Sequence, residues 1–472
     1  MNRQNMGTFD LIIIGGGAGG FGAAIRANDL KAKTAMINAG LPLGGTCVNV
    51  GCVPSKTLIH AAEVLYQARH HGIPGIEIDI KKFDFQTVIN DELALVERMR
   101  QEKYQNVLQH IKSVTLVSGQ ARFVSKNEVE VNGQTLKADK FIISTGSTAI
   151  VPPIEGIRET GYVTHVEALK LEKQPKELIV VGAGAVGLEF AQMYARFGTK
   201  VTILQHSGSI FRPGEKVVVE RLQEVLRKEG INIILNAEVK SARRQKDKKV
   251  LTYVVEGEQQ ERAGDEVLLA IGKVPNTADL GLEKAGVETD KKQAIVTKPT
   301  LQTSQPHIYA TGDVTNLPLR LEPTAGNEGT LAAENAITGS QKSIDYRTVP
   351  YTIFTDPELA GVGYTEEEYL KETGRCDCRT LNFADVPKAA ILRRTEGLIK
   401  MIVDPETKRI VGVHILAPHA GDLIAEAMVL LKNKNTIDDV TSALPMFPTL
   451  AEAIKIVAMS FTRDISKLSC CV

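Results

Sequence analysis

Cys47 and Cys52 are separated by four residues within the stretch GGTCVNVGCVPSK. In an undistorted helix this spacing turns the side chains apart and spreads the Cα atoms beyond comfortable disulfide reach. Gly51 and Pro54 supply the local freedom and the break that would let the two sulfurs meet. A helix amino terminus stabilises a nearby thiolate, and Lys56 adds a positive charge. The stretch therefore predicts a redox-active thiol pair.

Two further pairs of cysteines occur later in the chain. Cys470 and Cys471 stand side by side in the final SKLSCCV, where an exposed thiol is an oxidation hazard unless its reactivity is used. Cys376 and Cys378 of RCDCR have alternating spacing on a predicted strand, and we interpret them as structural, with a metal contact as the alternative. Six cysteines are too few for a disulfide scaffold in 472 residues, so the pairs indicate redox chemistry or metal binding.

A nucleotide-binding pattern occurs twice. In FDLIIIGGGAGG and in LIVVGAGAVGLEF, a buried-strand pattern runs into a Gly-x-Gly-x-x-Gly turn and then into a helical segment. The pattern provides a tight turn, a backbone bare enough for a pyrophosphate to approach, and a helix amino terminus facing the anion. Two copies, each placed between strand and helix, predict an enzyme that binds two dinucleotides. The glycines are Gly15, Gly17, Gly20, Gly182, Gly184 and Gly187.

Neither copy is followed by the acidic residue that usually binds the ribose. The strand after the first copy ends at Asn38, and the strand after the second leads to Gln205. An amide can hydrogen-bond a ribose hydroxyl, so both are predicted cofactor-binding residues. Because the neutral Gln205 stands beside His206 with Arg212 nearby, a 2′-phosphate is not repelled, which favours NADPH over NADH.

Other strands end in turns that we expect to reach the cofactors. ADKFIISTGS and DEVLLAIGKVPN run into glycine-containing turns, and IYATGDVTNLP places an acidic side chain where it can meet cofactor hydroxyls. Residues around the first cysteine pair complete the set. These predicted cofactor-binding residues are Gly45, Thr46, Lys56, Thr145, Gly146, Gly272, Gly312 and Asp313.

Composition argues against several partner classes. Lys and Arg together number 56, as do Asp and Glu, so neither nucleic acid nor an anionic membrane surface is an expected partner. The first apolar run lacks a basic leader and a cleavage site, and no stretch is long and apolar enough to span a bilayer. We therefore expect a cytoplasmic protein.

Together these motifs resemble the pyridine-nucleotide disulfide oxidoreductases, a family of flavoenzymes. The resemblance runs from FDLIIIGGGAGG through GGTCVNVGCVPSK, ATGD and YTIFTDPELAGVGYTE to the terminus. It implies FAD at the first glycine motif, a nicotinamide at the second, and electron transfer from the flavin to the cysteine pair. It also implies that Cys52 lies against the flavin, that Cys47 exchanges with substrate, and that Lys56 pairs with Glu189 of GLEF. Surface charges without a catalytic role are the alternative for Lys56 and Glu189.

The resemblance also implies the domain organisation. We expect an α/β fold with two Rossmann-like dinucleotide-binding domains and a C-terminal α+β dimerisation domain. Stretches such as GLIKMIVDPETKRIVGVHIL indicate antiparallel strands in that last domain. The predicted segments are 1–149 (FAD-binding, first part, with the redox pair), 150–273 (NAD(P)H-binding), 274–347 (FAD-binding, second part) and 348–472 (dimerisation, with the Cys-Cys tail).

The carboxyl-terminal region distinguishes members of the family. Disulfide-reducing relatives carry a His-Pro pair that protonates the departing thiolate, whereas LPMFPTLAEAIK has Phe447 before Pro448, with Glu452 retained. A phenyl ring cannot transfer a proton. The final SCCV is similar to the end of mercuric reductases, in which paired cysteines of one subunit deliver Hg(II) to the other, and thiolates select soft metal ions. The predicted metal ligands are Cys47, Cys52, Cys470 and Cys471.

The resulting expectation is a homodimeric, FAD-dependent mercuric reductase that uses NADPH. One alternative is a dihydrolipoamide dehydrogenase-like disulfide reductase with another proton donor, and a second is a soft-metal-binding redox protein of slow turnover. Phe447 and Ala185 stand where mercuric reductases commonly place tyrosines, which leaves rate and metal preference open. For the terminal cysteines, prenylation and chance placement are the alternatives.

Overall fold

The computed structural model describes residues 8–467 and Ser469. The predictions for Cys470 and Cys471 therefore lie outside the described residues. No helix in this part of the chain is both long and apolar enough to cross a membrane. The described residues form two compact units: one comprises those up to Thr57, Thr87–Ile150 and Gly272–Tyr346, and the other Leu58–Gln86, Val151–Ile271 and those from Arg347 onwards.

Strands and helices both occur along the whole of this range. The strands are β1 (Thr8–Ile14), β2 (Thr34–Asn38), β3 (Val114–Ser118), β4 (Arg122–Ser125), β5 (Glu128–Val131), β6 (Gln134–Ile143), β7 (Ser147–Ala149), β8 (Glu177–Val181), β9 (Lys200–Leu204), β10 (Asn232–Ile234), β11 (Glu238–Gln245), β12 (Lys248–Val255), β13 (Glu258–Gly264), β14 (Glu266–Leu269), β15 (Lys273–Pro275), β16 (Ile308–Ala310), β17 (Tyr351–Ile353), β18 (Glu358–Gly363), β19 (Asp377–Asn382), β20 (Leu398–Val403) and β21 (Ile410–Ala417). The α-helices are α1 (Ala18–Asp29), α2 (Gly45–Val50), α3 (Cys52–His70), α4 (Phe85–Arg100), α5 (Asn106–His110), α6 (Ile157–Thr160), α7 (His165–Ala168), α8 (Ala185–Phe197), α9 (Lys216–Lys228), α10 (Leu282–Ala285), α11 (Glu322–Thr338), α12 (Glu366–Thr373), α13 (Pro387–Leu392), α14 (Ala420–Lys432), α15 (Ile437–Ser442) and α16 (Glu452–Met459). A π-helical turn, Gln101–Gln105, joins α4 to α5.

The first unit is built on a parallel sheet in the spatial order β3, β2, β1, β6, β16. Strand β6 continues into an antiparallel meander with β5 and β4. Residues Leu11–Ile14 are buried without alternation, because both faces of a central parallel strand are covered. The turn from β1 into α1 therefore lies at the carboxyl edge of the sheet, where α/β folds bind their ligands.

The second unit repeats this arrangement and adds an antiparallel sheet. Its parallel strands lie in the order β10, β9, β8, β14, and its five C-terminal strands in the order β17, β18, β21, β20, β19. Helices α14 and α16 pack on one face of the five-stranded sheet through a core that includes Met401, Val413 and Ile415. The expected α/β fold with a C-terminal α+β segment is confirmed. The finer division at residues 149, 273 and 347 stays a prediction.

Glu92 makes the stability of the first unit depend on pH. Its side chain is 1% exposed on α4, and Oε2 has no hydrogen-bond partner among the described residues. Burial raises the pKa of Glu92 from 4.5 to about 7. The folded chain therefore keeps a proton that the unfolded chain releases, so stability falls as pH rises from 4.5 to about 7.

We expect Glu92→Gln to remove this loss and to raise the free energy of unfolding at pH 8 by about 1–3 kcal/mol. The gain should shrink as pH falls towards 4.5 and vanish below it, where the carboxyl is protonated in both states. Urea unfolding at several pH values checks this, with Asp91→Asn, an exposed neighbour on α4, as the control. Equal effects of the two variants at pH 8 would contradict the assignment.

Candidate active site

A break between two helices brings Cys47 and Cys52 together. Cys47 lies in α2, Cys52 is the first residue of α3, and Gly51 separates the helices with φ −134° and ψ −111°. A Cβ on Gly51 would lie 2.9 Å from the Thr46 carbonyl oxygen, so glycine permits this close turn. Pro54 does not contribute to the break as predicted, since it stands in the first turn of α3, where a missing N–H costs no helical hydrogen bond.

The two sulfurs are in hydrogen-bond contact as thiols. The pKa of Cys47 is raised, mainly by its hydrogen bond to the Cys52 side chain, then by burial and by the negative charges of Cys52 and Glu322. The expected stabilisation of a thiolate at a helix amino terminus is therefore wrong for Cys47 in the dithiol form. Once one of two neighbouring thiols is ionised, the other holds its proton more tightly, because a second negative charge would lie against the first.

Tyr104 also belongs to this site, although the sequence did not indicate it. It lies in the π-helical turn and packs edge-on against Phe21, with ring centroids 4.9 Å apart. Burial, followed by the charges of Cys47 and Glu322, raises the pKa of Tyr104 to about 12. Tyr104 is therefore a neutral phenol near the cysteine pair at physiological pH. No local motif signals this, because more than fifty residues separate Tyr104 from Cys47.

Asn49 holds the segment that carries Cys47. Its Nδ2 donates to the carbonyl oxygens of Pro42, Leu43 and Gly45 at 3.1, 3.2 and 2.8 Å. Its Oδ1 accepts from Arg100 Nη1 at 3.1 Å. One amide thus ties helix α2 both to the loop before it and to the end of α4, so the cysteine segment is anchored from two directions.

The first glycine motif has the geometry of a dinucleotide turn. Gly15 has φ 120°, and a Cβ there would lie 2.2 Å from the Ser144 carbonyl oxygen. A Cβ on Gly20 would lie 1.9 Å from the Gly15 carbonyl oxygen. Gly17, by contrast, caps α1 and faces only the Cα of Gly45, at 3.7 Å, so its backbone is open to a ligand. These residues fit a pyrophosphate at the start of α1.

The second motif reproduces this geometry residue for residue. A Cβ on Gly182 would lie 2.5 Å from the Ala270 carbonyl oxygen, and one on Gly187 would lie 2.1 Å from that of Gly182. Around Gly184 a Cβ would meet no described atom within 4 Å. Helix α8 then begins without an acidic residue in its first turn. The outer glycines are needed for packing and the middle one leaves room, so this site also fits a dinucleotide.

Asn38 and Gln205 occupy equivalent positions and support the glycine loops. Asn38 Oδ1 accepts from the Gly16 backbone N–H at 3.2 Å, and Gln205 Oε1 accepts from that of Ala183 at 3.0 Å. Their amide nitrogens donate to nearby groups, Leu41 O for Asn38 and the Ser207 hydroxyl for Gln205. The similarity between the two glycine motifs therefore includes the side-chain amides of Asn38 and Gln205. Their predicted contacts with ribose stay predictions.

Of the other predicted cofactor-binding residues in the first unit, Gly45 and Thr46 begin α2, Lys56 lies on α3, and the rest follow strands: Thr145, Gly146, Gly272, Gly312 and Asp313. Thr145 Oγ1 donates to Asn276 O at 2.8 Å, and Asn276 Nδ2 donates back to Thr145 O at 2.9 Å. Asp313 Oδ2 accepts from Ser147 Oγ at 2.7 Å, which fixes the carboxylate. The turn glycines that take positive φ are Gly44, Gly45, Gly146, Gly272 and Gly312.

Lys56 belongs to the first unit and Glu189 to the second. Glu189 is buried on α8, and its Oε1 accepts from the Phe354 backbone N–H at 3.0 Å. Lys56 lies on α3, one turn after Cys52. Their pairing stays a prediction.

Phe447 occupies the expected histidine position and is 44% exposed. The carboxylate of Glu452, which would complete an acid-base pair in a disulfide reductase, accepts from the Thr449 backbone N–H at 2.9 Å. Glu452 therefore fastens the turn before α16. Phe447 provides no proton donor at this position.

The sequence pattern of the pyridine nucleotide-disulphide oxidoreductases matches residues 9–336. The chain belongs to this family. The dimerisation domain of the same family matches residues 349–458 of this oxidoreductase. Membership implies FAD and NAD(P)H as cofactors, in agreement with the two glycine motifs, so the protein is an NAD(P)H-dependent flavoprotein oxidoreductase.

Mercuric reductases are prominent among the relatives of this oxidoreductase. The mercuric reductase of Staphylococcus aureus is 39% identical over 468 residues, covering 98% of this chain and 84% of the relative. That of Streptomyces lividans is 37% identical over 470 residues, covering 98% of each. Among solved structures, the Cu(II) complex of the HOCl-induced flavoprotein disulfide reductase RclA from Escherichia coli has a TM-score of 0.86 and 28% identity, covering 97% of this chain and 100% of that one.

Proposed function

We propose that this oxidoreductase is a homodimeric mercuric reductase that reduces Hg(II) to Hg(0) with NADPH. The observation that carries the proposal is the convergence of Cys47 and Cys52, whose side chains are hydrogen-bonded and offer two soft ligands. The identity to mercuric reductases over nearly the whole chain supports the substrate, and the dimerisation-domain match supports the dimer. Cys470 and Cys471 of the partner subunit would present the ion.

In the proposed reaction Cys47 and Cys52 bind Hg(II) as two thiolates, and their protons leave to solvent because the metal replaces them. The ion takes two electrons and departs as Hg(0), which regenerates the two thiolates. NADPH gives up a hydride and becomes NADP⁺, so that the two electrons of the hydride reach the ion and its proton goes to solvent. FAD, when bound, supplies the two-electron transfer between the nicotinamide and this site. No thiolate has to be protonated as a leaving group, so Phe447 in the histidine position costs this chemistry nothing.

The deciding experiment measures NADPH oxidation by flavin-loaded protein with Hg(II) and excess small thiol, while volatile mercury is trapped. We expect one Hg(0) for each NADPH over many turnovers. Replacement of both Cys470 and Cys471 with alanine should slow turnover of thiol-bound Hg(II) at least about tenfold, since ligand exchange onto Cys47 then lacks its relay. Stoichiometric binding without turnover would instead identify a soft-metal-binding protein.

A second candidate function is disulfide or Cu(II) reduction, favoured by the likeness to RclA, a flavoprotein disulfide reductase solved with Cu(II). The same assay with lipoamide, glutathione disulfide or Cu(II) as acceptor separates these activities. If disulfide reduction is native, another proton donor is already present, and Phe447→His should raise it only slightly. A large rise would show that the histidine is the missing group and would count against this candidate.

If the protein prefers NADPH, a negative charge at position 205 should weaken the binding of NADPH more than that of NADH. Gln205→Glu keeps an oxygen acceptor for the Ala183 N–H, so the glycine loop should be preserved. The added negative charge would repel a 2′-phosphate, so we expect KM for NADPH to rise at least about tenfold and KM for NADH to change less than about twofold. Steady-state kinetics with both nucleotides test this, with Asn38→Asp at the first motif as the control. Equal shifts for NADPH and NADH would refute the preference.

A further inference from the structure

We propose that Cys376, Cys378 and Glu366 form a second binding site for a soft divalent cation, represented by Cd(II). Cys378 lies on β19, the edge strand of the five-stranded sheet, and Cys376 immediately precedes that strand. Glu366 is the first residue of α12. All three lie in the second unit, and the site stands independently of the proposed mercuric reductase activity.

The three ligand atoms already converge. One side-chain atom of each residue lies within 4.8 Å of the others, and Cys376 Sγ is 3.9 Å from Glu366 Oε1. The structure joins the two sulfurs as a disulfide, which the sequence did not predict and which shows that both face the same side of the strand. Two sulfurs at about 2.3 Å, the Zn–S bond length, from a tetrahedral ion lie about 3.8 Å apart, so the reduced pair can hold an ion of this class after side-chain rotations that separate the sulfurs.

Lys400 positions the carboxylate. Its ammonium pairs with Glu366 Oε2 and lies 2.8 Å from Glu215 Oε1, and its side chain is only 5% exposed. Glu366 is therefore held by one oxygen, while its other oxygen points towards Cys376. Glu215 also accepts from the Glu366 backbone N–H at 2.9 Å, which fixes the start of α12. Such supporting contacts orient metal ligands.

Charge favours a dication at this place. Lys400 and the two carboxylates sum to one negative charge, and two thiolates would raise this to three. A divalent cation returns the cluster to a single negative charge, and the ammonium of Lys400 lowers the cost of ionising thiols nearby. Two thiolates with one carboxylate suit a soft or borderline ion such as Cd(II) better than a hard one such as Mg²⁺.

Binding at this site requires the dithiol. A small dithiol can open the disulfide by exchange: Cys376–Cys378 gains two electrons and two protons and becomes two thiols, while the dithiol is oxidised to its own disulfide. The two protons are released again when the ion binds. The site should therefore bind metal when reduced and lose it when oxidised.

The test uses the full-length chain with Cys47, Cys52, Cys470 and Cys471 replaced by serine, so that only this pair remains. After reduction and anaerobic desalting, Cd(II) is titrated by equilibrium dialysis and by thiolate-to-metal charge-transfer absorption. We expect one Cd(II) per chain, an affinity at least about a hundredfold lower after Cys378→Ser, and about tenfold lower after Glu366→Gln. Glu367→Gln removes a charge from the same helical turn and should change affinity less than about twofold.

Two results would overturn the site. One is the absence of Cd(II) binding above that of the chain lacking all six cysteines, with folding of both proteins verified by circular dichroism. The other is equal weakening by Glu366→Gln and Glu367→Gln, which would remove the carboxylate from the ligand set. Because this chain lacks the redox pair, a failure here is distinguishable from a failure of Hg(II) reduction.

Discussion

Replacement of Cys47 or Cys52 with serine should lower Hg(II)-dependent NADPH oxidation by at least about a thousandfold. A hydroxyl is a hard, weak ligand for a soft ion, so either variant offers Hg(II) one thiolate where the native pair offers two. The helix break at Gly51 exists in either variant, so the fold should persist. Stopped-flow and steady-state measurements on the flavin-loaded variants provide the test.

The matched control is the Cys376→Ser/Cys378→Ser protein, which removes a cysteine pair elsewhere and should retain nearly full Hg(II) turnover. Bleaching of the flavin by NADPH should remain in all of these variants, because the nicotinamide motif around Gly184 is unchanged. Multiple turnovers by Cys47→Ser or Cys52→Ser at the normal rate would show that electrons reach Hg(II) without the pair. The proposed mechanism would then be wrong.

Alanine at the second glycine motif should have opposite consequences at two neighbouring positions. In Gly187→Ala the added Cβ would lie 2.1 Å from the Gly182 carbonyl oxygen, a backbone atom that cannot move away cheaply. We expect a loss of about 2–3 kcal/mol in the free energy of unfolding. In Gly184→Ala the Cβ meets no described atom within 4 Å, so the fold should lose less than about 1 kcal/mol, while KM for NADPH rises at least about tenfold.

Denaturant unfolding and NADPH kinetics on the same two proteins separate these effects. Each variant is the other's control, since both add one methyl group to the same turn. If Gly184→Ala leaves nucleotide binding intact, the open backbone at Gly184 is not where the pyrophosphate lies. If Gly187→Ala is as stable as the native protein, the turn accommodates the added methyl group despite the close approach to the Gly182 carbonyl oxygen.

The sequence by itself determined the elements whose chemistry is local. Gly20 and Gly187 are required by contacts with Gly15 and Gly182 of the same turn, so strand, glycines and helix can be recognised from a dozen residues. Cys47 and Cys52 are likewise brought together by a neighbour, Gly51. In each case the interacting atoms are a few residues apart, and backbone geometry alone decides whether they meet.

Tertiary structure decided whatever depends on partners from distant segments. The hydrogen bond to Cys52, burial and the charge of Glu322 on a separate helix raise the pKa of Cys47, which the local sequence predicted to fall. The charges of Cys47 and Glu322 also act on Tyr104 and, after burial, raise its pKa. Glu366 meets Cys376 only because α12 folds back beside the edge strand β19. The effects of burial and charge on a pKa sum over all neighbours in space. The sequence around a cysteine therefore cannot give the protonation state of its thiol, and it cannot identify the third ligand of a metal ion bound by a cysteine pair.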